Sequence, residues 1–294
     1  MFDALIAALK PHRFTFCVIV AAITILDVAL ISHILAVRRA DDALTVSFLA
    51  VGQGDSTLIR LPHGVKALID GGPPNGAALE GISETLSPFD RTIDLVVISH
   101  PQLDHFGGLI EVVKQYRVGG VLVNGRAGTS EAFRELDRAI KERSLPLITL
   151  RAGDVIRVGE SRFKTLSPTE ELAASDELND TSLVLELESK GARFLFTGDI
   201  GKRAEQELVR GGIHDIHVLK VPHHGSRFSS TAPFLAATGP EAAVIEVGKN
   251  SYGHPTDAVL DRLSGAGARV YRTDKDGTVT AIADGKSIKI FRKK

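Results

Sequence analysis

Residues 95–108 read LVVISHPQLDHFGG, and this stretch decides both the fold and the chemistry that the chain can carry. Its first four residues are apolar, which is typical of a strand that is buried on both faces. The strand is followed by His100, Asp104 and His105, which place two imidazoles and a carboxylate within six residues. A turn with donors at this spacing can wrap around an ion, so the stretch predicts a metal-binding loop at a strand end.

Three other apolar runs also end in residues that could bind a metal. They are KALI before Asp70, FLFTG before Asp199, and HVLKVP before the pair His223 and His224. In open α/β sheets, the loops at strand ends converge on one crevice. We therefore expect these side chains to meet those of the first loop.

The composition restricts the possible ligands and the possible protein classes. The 294 residues are 44% hydrophobic, with 35 Lys and Arg against 36 Asp and Glu, which indicates a globular chain and excludes a generally basic nucleic-acid coat. There is one cysteine, Cys17, against ten histidines, which excludes an intramolecular disulfide and a Cys-rich metal site. Imidazole and carboxylate must hold any metal, and these residue types do not distinguish zinc, manganese and iron.

The first forty residues form a separate segment of the chain. Residues 14–37 carry one formal charge, Asp27, and as a helix they reach about 36 Å, enough to cross a bilayer core of about 30 Å. We expect a membrane anchor here, with a signal peptide or a buried soluble helix as alternatives. Two Lys or Arg residues flank each end, so charge does not decide the orientation. An acidic group at mid-span is costly, and Asp27 could face a membrane-protein partner.

After this segment, short apolar runs alternate with helical patterns and turn residues. Strands are predicted at 44–50, 56–61, 66–69, 94–99, 120–123, 182–188, 193–197, 216–221 and 242–247. Helices are predicted at 107–116, 130–143, 201–210, 231–238 and 255–265, followed by a hairpin of 278–283 and 287–291. The early strands follow one another through short turns and the later ones alternate with helices. This pattern predicts a mixed α/β sheet system covered by helices.

The motifs resemble the metallo-β-lactamase superfamily, whose marks are HxHxDH, a later Gly-Asp at a strand end and a still later His. Eight motifs in order more closely resemble the C-terminal metallo-β-lactamase domain of ComEC, the bacterial DNA-uptake protein: LAVGQGDSTLI, LIDGG, SHPQLDHFGG, NDTSLVLEL, FLFTGD, LKVPHHGS, NSYGHP and VYRTDKDGTVT. The resemblance implies a four-layer αβ/βα sandwich. We expect it to occupy residues 41–294 as a hydrolase domain, after a tail and one transmembrane helix in residues 1–40.

The resemblance also implies a set of metal ligands. One site would take His100 and the position of Gln102, and the other Asp104, His105 and His224, with Asp199 bridging both. Gln102 is a weak ligand at a position where the family has His or Asp, and Ala50 stands where ComEC-type chains have Asp. The expected cofactor is therefore a divalent metal, one or two ions of zinc or manganese.

Further residues are expected around the ligands. Asp70 would support the ligand loops by hydrogen bonds, and Asn179, Asp55, Lys220 and Ser226 would support the centre or contact substrate. Three residues would take part in catalysis: Asp104 would orient the attacking hydroxide, and His223 or His254 would protonate the leaving oxygen. The other histidines, His12, His33, His63, His214 and His217, are expected to have no part in the site.

These expectations together give a predicted function. The chain would be a metal-dependent phosphodiesterase or nuclease that acts on single-stranded DNA or another phosphodiester during DNA uptake. The alternatives are a hydrolase of a cell-surface phosphodiester, ester or lactone, and a non-catalytic, metal-poor binding module. The resemblance and the anchor place the chain on the inner membrane of a bacterium, with the hydrolase domain on the extracytoplasmic side.

Overall fold

The computed structural model describes residues 23–28, 31 and 42–293 of the chain. Residues 23–28 and 31 are helical, and the rest of the expected anchor at 14–37 lies outside the described residues. Among the described residues, no helix is both long and apolar enough to cross a membrane. The sheets and helices below belong to the unit Ala43–Lys294.

The first sheet has eight strands, in the order β15-β14-β1-β2-β3-β4-β5-β6. They are β1 (Leu44–Phe48), β2 (Thr57–Arg60), β3 (Lys66–Ile69), β4 (Thr92–Ile98), β5 (Arg117–Val123), β6 (Leu147–Thr149), β14 (Thr278–Ala283) and β15 (Ile288–Lys293). Strands β3 to β6 are parallel, and the other pairs of this sheet are antiparallel. The carboxyl ends of β3 and β4 therefore lie at the same edge, which brings Asp70 close to His100.

The second sheet has seven strands, in the order β13-β12-β11-β10-β9-β8-β7. They are β7 (Val155–Val158), β8 (Ser161–Ser167), β9 (Val184–Ser189), β10 (Ala192–Phe196), β11 (Val218–Lys220), β12 (Ala242–Ile245) and β13 (Arg269–Arg272). Strands β10 to β13 are parallel, so the loops after β10, β11 and β12 share one edge. These loops carry Asp199, the His223-His224 pair and Glu246.

Helices cover the outer face of each sheet. The first sheet is covered by α1 (Ala77–Thr85), α2 (Leu103–Phe106), α3 (Leu109–Gln115) and α4 (Glu131–Glu142). The second is covered by α5 (Glu170–Ala173), α6 (Lys202–Arg210), α7 (Ala232–Thr238) and α8 (Asp257–Gly265), and a short α9 (Thr273–Asp276) follows β13. Each set of helices packs on its sheet through a separate apolar core.

A third apolar core lies between the two sheets and holds them face to face. Phe48 of β1 and Phe196 of β10 both belong to it, with their ring centroids 6.2 Å apart. On β4, Val97 points into this core while Val96 and Ile98 pack against the helices, which explains why the strand is apolar on both faces. Three cores separate four layers, and the αβ/βα sandwich expected for this part of the chain is confirmed.

All the predicted strands and helices are present, and the structure adds some that were not predicted. The additions are strands β6, β7, β8 and β13 and helices α1, α2, α5 and α9. Glycines allow the loops of the first sheet to pack closely beside the site. A Cβ on Gly108 would lie 2.0 Å from the carbonyl oxygen of Gly71, and one on Gly54 would lie 2.1 Å from that of Asp104. These backbone contacts hold the loops of Asp55, Asp70 and Asp104 against one another.

Candidate metal centre

The centre is built from loops of both sheets, where their parallel strands end. His100 follows β4, Asp199 follows β10 and His224 follows β11, while Asp104 and His105 lie on the short helix α2. His100, His105, Asp199 and His224 are buried, and only Asp104 keeps a partly exposed side chain, at 34%. The structure thus brings together the five strong ligands predicted from the sequence.

Two groups of these side chains have a spacing that suits an ion. His100, His105 and Asp199 form one, and Asp104, His105 and His224 form the other, with the ligand atoms of each group within 4.8 Å of one another. Asp199 Oδ2 lies 3.3 Å from His105 Nε2 and 3.4 Å from His224 Nε2, so this carboxylate stands between the groups. Asp55 lies in two further groups, one with Asp70 and His105 and one with Asp199 and His224.

Unpartnered atoms test whether these residues fit a metal. Within residues 42–293, four buried atoms of the five predicted ligands have no hydrogen-bond partner: the Nε2 atoms of His100, His105 and His224, and Oδ1 of Asp199. Burying polar atoms without partners is costly, and proteins rarely leave such atoms together. Nitrogen and oxygen donors that converge in this way fit a divalent ion, and none of residues 42–293 is a cysteine that would favour a softer metal.

Asp70 supports both histidines of the first loop, His105 directly and His100 through Ser99. Its Oδ2 lies 2.9 Å from His105 Nδ1, and its carboxylate accepts hydrogen bonds from the Ser99 backbone N–H at 2.8 Å and hydroxyl at 2.6 Å. The same hydroxyl lies 3.0 Å from His100 Nδ1. Burial lowers the pKa of His100 to about 3, so this imidazole is neutral and can offer a lone pair. Asp70 therefore has the supporting position predicted for it.

His224 is held from behind by groups of other loops. Its Nδ1 lies 2.8 Å from the backbone oxygen of Glu246 and 3.2 Å from Asp55 Oδ1, while its Nε2 lies 3.3 Å from Asp104 Oδ2. Burial alone would lower the pKa of His224, but the carboxylates of Asp199 and Asp55 raise it well above its usual value. His223 and His224 have φ of 52° and 51°, a left-handed conformation that non-glycine residues rarely adopt.

A buried ion pair lies beneath the ligands. Lys220 Nζ contacts Asp55 Oδ2, donates to the Gly198 carbonyl at 2.9 Å and lies 3.7 Å from Asp199 Oδ1. Burial opposes both charges, but their attraction raises the pKa of Lys220 and lowers that of Asp55. Lys220 was predicted either to support the centre or to contact substrate, and its burial leaves only the first role.

The side chain of Gln102 forms a hydrogen bond with the uncharged side chain of Asn179. Its Nε2 donates to Oδ1 of Asn179, whose Nδ2 lies 3.3 Å from His223 Nε2. His223, 29% exposed, lies at the open side of the centre, and its ring centroid is 5.6 Å from that of His254. Gln102, Asn179, His223 and His254 therefore lie at the rim of the site. Gln102 was predicted as a weak metal ligand, and in the structure its amide is bound to Asn179.

Ser226 has a different position from the others. It is buried, its N–H donates to the His223 carbonyl, and its hydroxyl accepts from the N–H of Phe228. It shapes the turn and does not face a substrate. Of the histidines expected to be bystanders, His63, His214 and His217 belong to none of the ligand groups in the described part of the chain, and His12 and His33 lie outside it.

Two residues of the centre were not predicted. Ser99 connects Asp70 to both histidines of its loop, and Glu246 accepts hydrogen bonds from the Ser56 N–H at 2.9 Å and the Thr57 hydroxyl at 3.1 Å. Burial, and then the neighbouring Asp55 carboxylate, raise the pKa of Glu246 to about 8. Both residues directly follow apolar strands, so the strand-end rule that found Asp70 could also have found them.

Comparison with known proteins finds bacterial competence proteins among the relatives of this chain. The chain is 31% identical over 252 residues to ComE operon protein 3 of Bacillus subtilis (strain 168), which covers 80% of this chain and 32% of that protein. It is 34% identical over 243 residues to Competence protein ComA of Neisseria gonorrhoeae, covering 81% and 32%. The expected resemblance to ComEC-type competence proteins is confirmed, although the chain spans about a third of the length of these relatives.

A solved structure and a family match concern the fold itself. The metallo-beta-lactamase fold protein YhfI from Bacillus subtilis superposes with a TM-score of 0.56 at 10% identity, covering 81% of this chain and 100% of that one. At this identity the likeness concerns the fold alone. Residues 49–248, most of the chain, match the metallo-beta-lactamase superfamily. By this match, and by the sandwich and the convergent ligand loops, the chain belongs to the metallo-β-lactamase superfamily.

Proposed function

We propose that this chain is a metal-dependent phosphodiesterase that cleaves DNA. The observation that carries the proposal is the convergence of three buried imidazoles with two carboxylates, where the three Nε2 atoms and Asp199 Oδ1 lack hydrogen-bond partners. The competence proteins among its relatives support DNA as the substrate. Because the chain spans about a third of those proteins, their activities remain a proposal for this chain.

The ligands would be His100, His105, Asp104, Asp199 and His224, as predicted from the sequence. A bound divalent ion would supply Lewis acidity toward a phosphoryl oxygen and lower the pKa of water toward about 7. The nitrogen and oxygen donors suit zinc and manganese alike.

The chain's own side chains would orient the reactants. Although burial raises the pKa of Asp104, contact with His224 lowers it to about 2, so Asp104 is a carboxylate that can accept a hydrogen bond from the attacking water and orient it. His223 and His254 stand at the rim, where burial lowers their pKa values and keeps their rings neutral. A neutral imidazole N–H can donate to a phosphate oxygen or to the leaving oxygen. The exposed Arg227 and Lys249 add positive charge nearby in the sequence.

A turnover assay tests the proposal. The full chain is stripped of metal, then assayed with Mn²⁺ or Zn²⁺ on single-stranded DNA and on an activated phosphodiester. We expect metal-dependent cleavage that is lost in an Asp104→Ala/His105→Ala variant and retained in His214→Ala, which changes an exposed histidine outside the centre. Turnover equal in wild type and the double variant would refute the proposed centre.

Gln102 favours one second candidate, a metal-poor binding module without activity. Its amide is engaged by Asn179 and cannot supply the charge of a carboxylate. Metal analysis separates the candidates: fewer than about 0.2 ions per purified chain would favour the binding module. If metal is bound, a panel that includes lipid phosphodiesters, carboxyl esters and lactones separates a nuclease from the other predicted hydrolases.

The membrane location belongs to the same proposal. Residues 14–37 would anchor the chain in the inner membrane, with the hydrolase domain on the extracytoplasmic side and Asp27 available to a partner. We expect the chain to sediment with membranes after a carbonate wash. We also expect protease to digest the hydrolase domain in intact spheroplasts. Release by carbonate would contradict the anchor. Protection of the domain from protease would contradict its orientation.

A further inference from the structure

A row of aromatic rings leads from the buried metal centre to the protein surface. The ring centroids of His224 and His223 are 6.3 Å apart, those of His223 and His254 5.6 Å, and those of His254 and Tyr252 5.7 Å. His224 is buried at the inner end, and Tyr252 is 73% exposed at the outer end. We call these four residues the ring row. The proposed chemistry uses its inner members and leaves Tyr252 without a role.

The loop that carries Tyr252 is braced. Asn250 Oδ1 accepts hydrogen bonds from the N–H groups of Tyr252 at 3.1 Å and His254 at 3.0 Å, and its Nδ2 donates to the His254 carbonyl at 2.8 Å. The N–H of Thr256 donates to the Gly225 carbonyl, which ties this loop to the turn of His223 and His224. The backbone that carries the large exposed ring is therefore held in a fixed relation to the centre.

A second exposed aromatic residue lies on the histidine turn itself. Phe228 is 66% exposed, and the Arg227 guanidinium carbon lies 4.7 Å from its ring centroid. The turn is fixed from below because the buried Ser229 hydroxyl contacts the carbonyls of Pro222 and Ser226 at 2.9 and 3.0 Å. A flat ring and a cation are thus presented together, four residues from a predicted ligand.

We propose that Tyr252 and the Phe228–Arg227 pair form a stacking site for unpaired nucleobases of a DNA strand whose phosphodiester lies at the metal centre. The inference rests on the proposed function for its choice of ligand. Rings fixed beside exposed cations are how proteins hold single strands, since every base offers a flat face to stack upon. Bases in a duplex are already stacked on one another, so the site selects single-stranded DNA.

Binding of labelled DNA to the full chain tests the inference. Anisotropy is measured with a twelve-nucleotide single strand in EDTA, so that binding is read without cleavage. We expect Tyr252→Leu to weaken binding by about tenfold, and Phe228→Leu to act in the same direction, because stacking contributes about 1–3 kcal/mol per base. Tyr252→Phe keeps the ring and should bind within about twofold of wild type. Phe89→Leu is the matched control. Phe89 is 95% exposed and precedes β4, whereas His100 follows the other end of this strand.

Abasic and duplex DNA make the test specific. The effect of Tyr252→Leu should disappear with a strand that lacks its central bases and with a duplex of the same sequence. Equal affinity of Tyr252→Leu and wild type for the intact single strand overturns the inference, even where metal-dependent cleavage is found. An equal loss in Phe89→Leu overturns it as well. Ring-dependent binding without turnover in Mn²⁺ or Zn²⁺ supports the stacking site and refutes the proposed phosphodiesterase.

Discussion

Asp70 Oδ2 lies 2.9 Å from Nδ1 of His105, whose opposite ring atom, Nε2, lies 3.3 Å from Asp199 Oδ2. The imidazole is therefore held between a carboxylate that supports it and one that would share its ion. Asp70 also accepts two hydrogen bonds from Ser99, so its own orientation is fixed. Asp70 therefore helps to fix the position of this ring.

Asp70→Asn should weaken metal binding about 10- to 100-fold. With its oxygen held by the Ser99 N–H, the amide would present its NH2 group to His105 Nδ1 where the carboxylate accepts a hydrogen bond, so the ring loses the tautomer that leaves Nε2 free for an ion. Competition with a chelating dye measures the affinity. Asp94→Asn is the control. This partly buried carboxylate lies near the start of β4, far from the site, and accepts a hydrogen bond from the Lys66 backbone N–H. Unchanged affinity in Asp70→Asn would refute the supporting role.

Lys220→Met should destabilise the fold by about 3–5 kcal/mol, because it leaves the Asp55 carboxylate buried without its cation. The double variant Lys220→Met/Asp55→Asn should recover about 1–3 kcal/mol of that loss. Urea unfolding in EDTA gives the free energies. Arg134→Met, which breaks an exposed pair with Glu131, should cost about 0–1 kcal/mol. Strictly additive single and double variants would show that the buried pair is not coupled.

Glu246 should make the stability of the metal-free chain depend on pH. Its pKa is raised from 4.5 to about 8, so between these values the folded chain holds a proton that the unfolded chain has lost. Stability should then fall as pH rises across this window, by up to about 1.4 kcal/mol per pH unit. Glu246→Gln removes this contribution and should gain on wild type more at pH 8 than at pH 5.5.

Urea unfolding in EDTA at several pH values measures this difference. The exposed Glu241→Gln, at the other end of β12, should follow wild type at every pH. Parallel pH profiles for Glu246→Gln and wild type would contradict the raised pKa.

Gln102→His should increase the number of ions that the chain retains. An imidazole at this position would replace an amide that is engaged by Asn179, and would add a good ligand beside His100. Elemental analysis after dialysis measures the stoichiometry. Gln115→His adds a histidine on the exposed face of α3 and should have no effect. Equal stoichiometry in Gln102→His and wild type would show that the position lies out of reach of the ion.

The local sequence predicted the strands that are apolar throughout. It missed elements whose buried positions include polar residues or glycine. The apolar strands that end in Asp70, His100, Asp199 and His224 were all predicted, because a strand buried on both faces is apolar throughout. Strand β8 was missed although it alternates buried and exposed residues, because several of its buried positions are Ser or Thr. Helix α1 contains Gly81, a weak helix former that lets the helix pack closely on Leu49.

The sequence by itself determined the superfamily and the candidate ligand residues, because strand-end motifs are local and their residue types can be read directly. Only the tertiary structure decided the pairing of Asp55 with Lys220, the contact of Gln102 with Asn179 and the row of rings from His224 to Tyr252. These relationships join loops of two sheets, and their distances are set by how the sheets pack. A buried charge is stabilised by the group that the fold brings within a few ångströms of it. That group can lie far away in the sequence, so local motifs do not predict it.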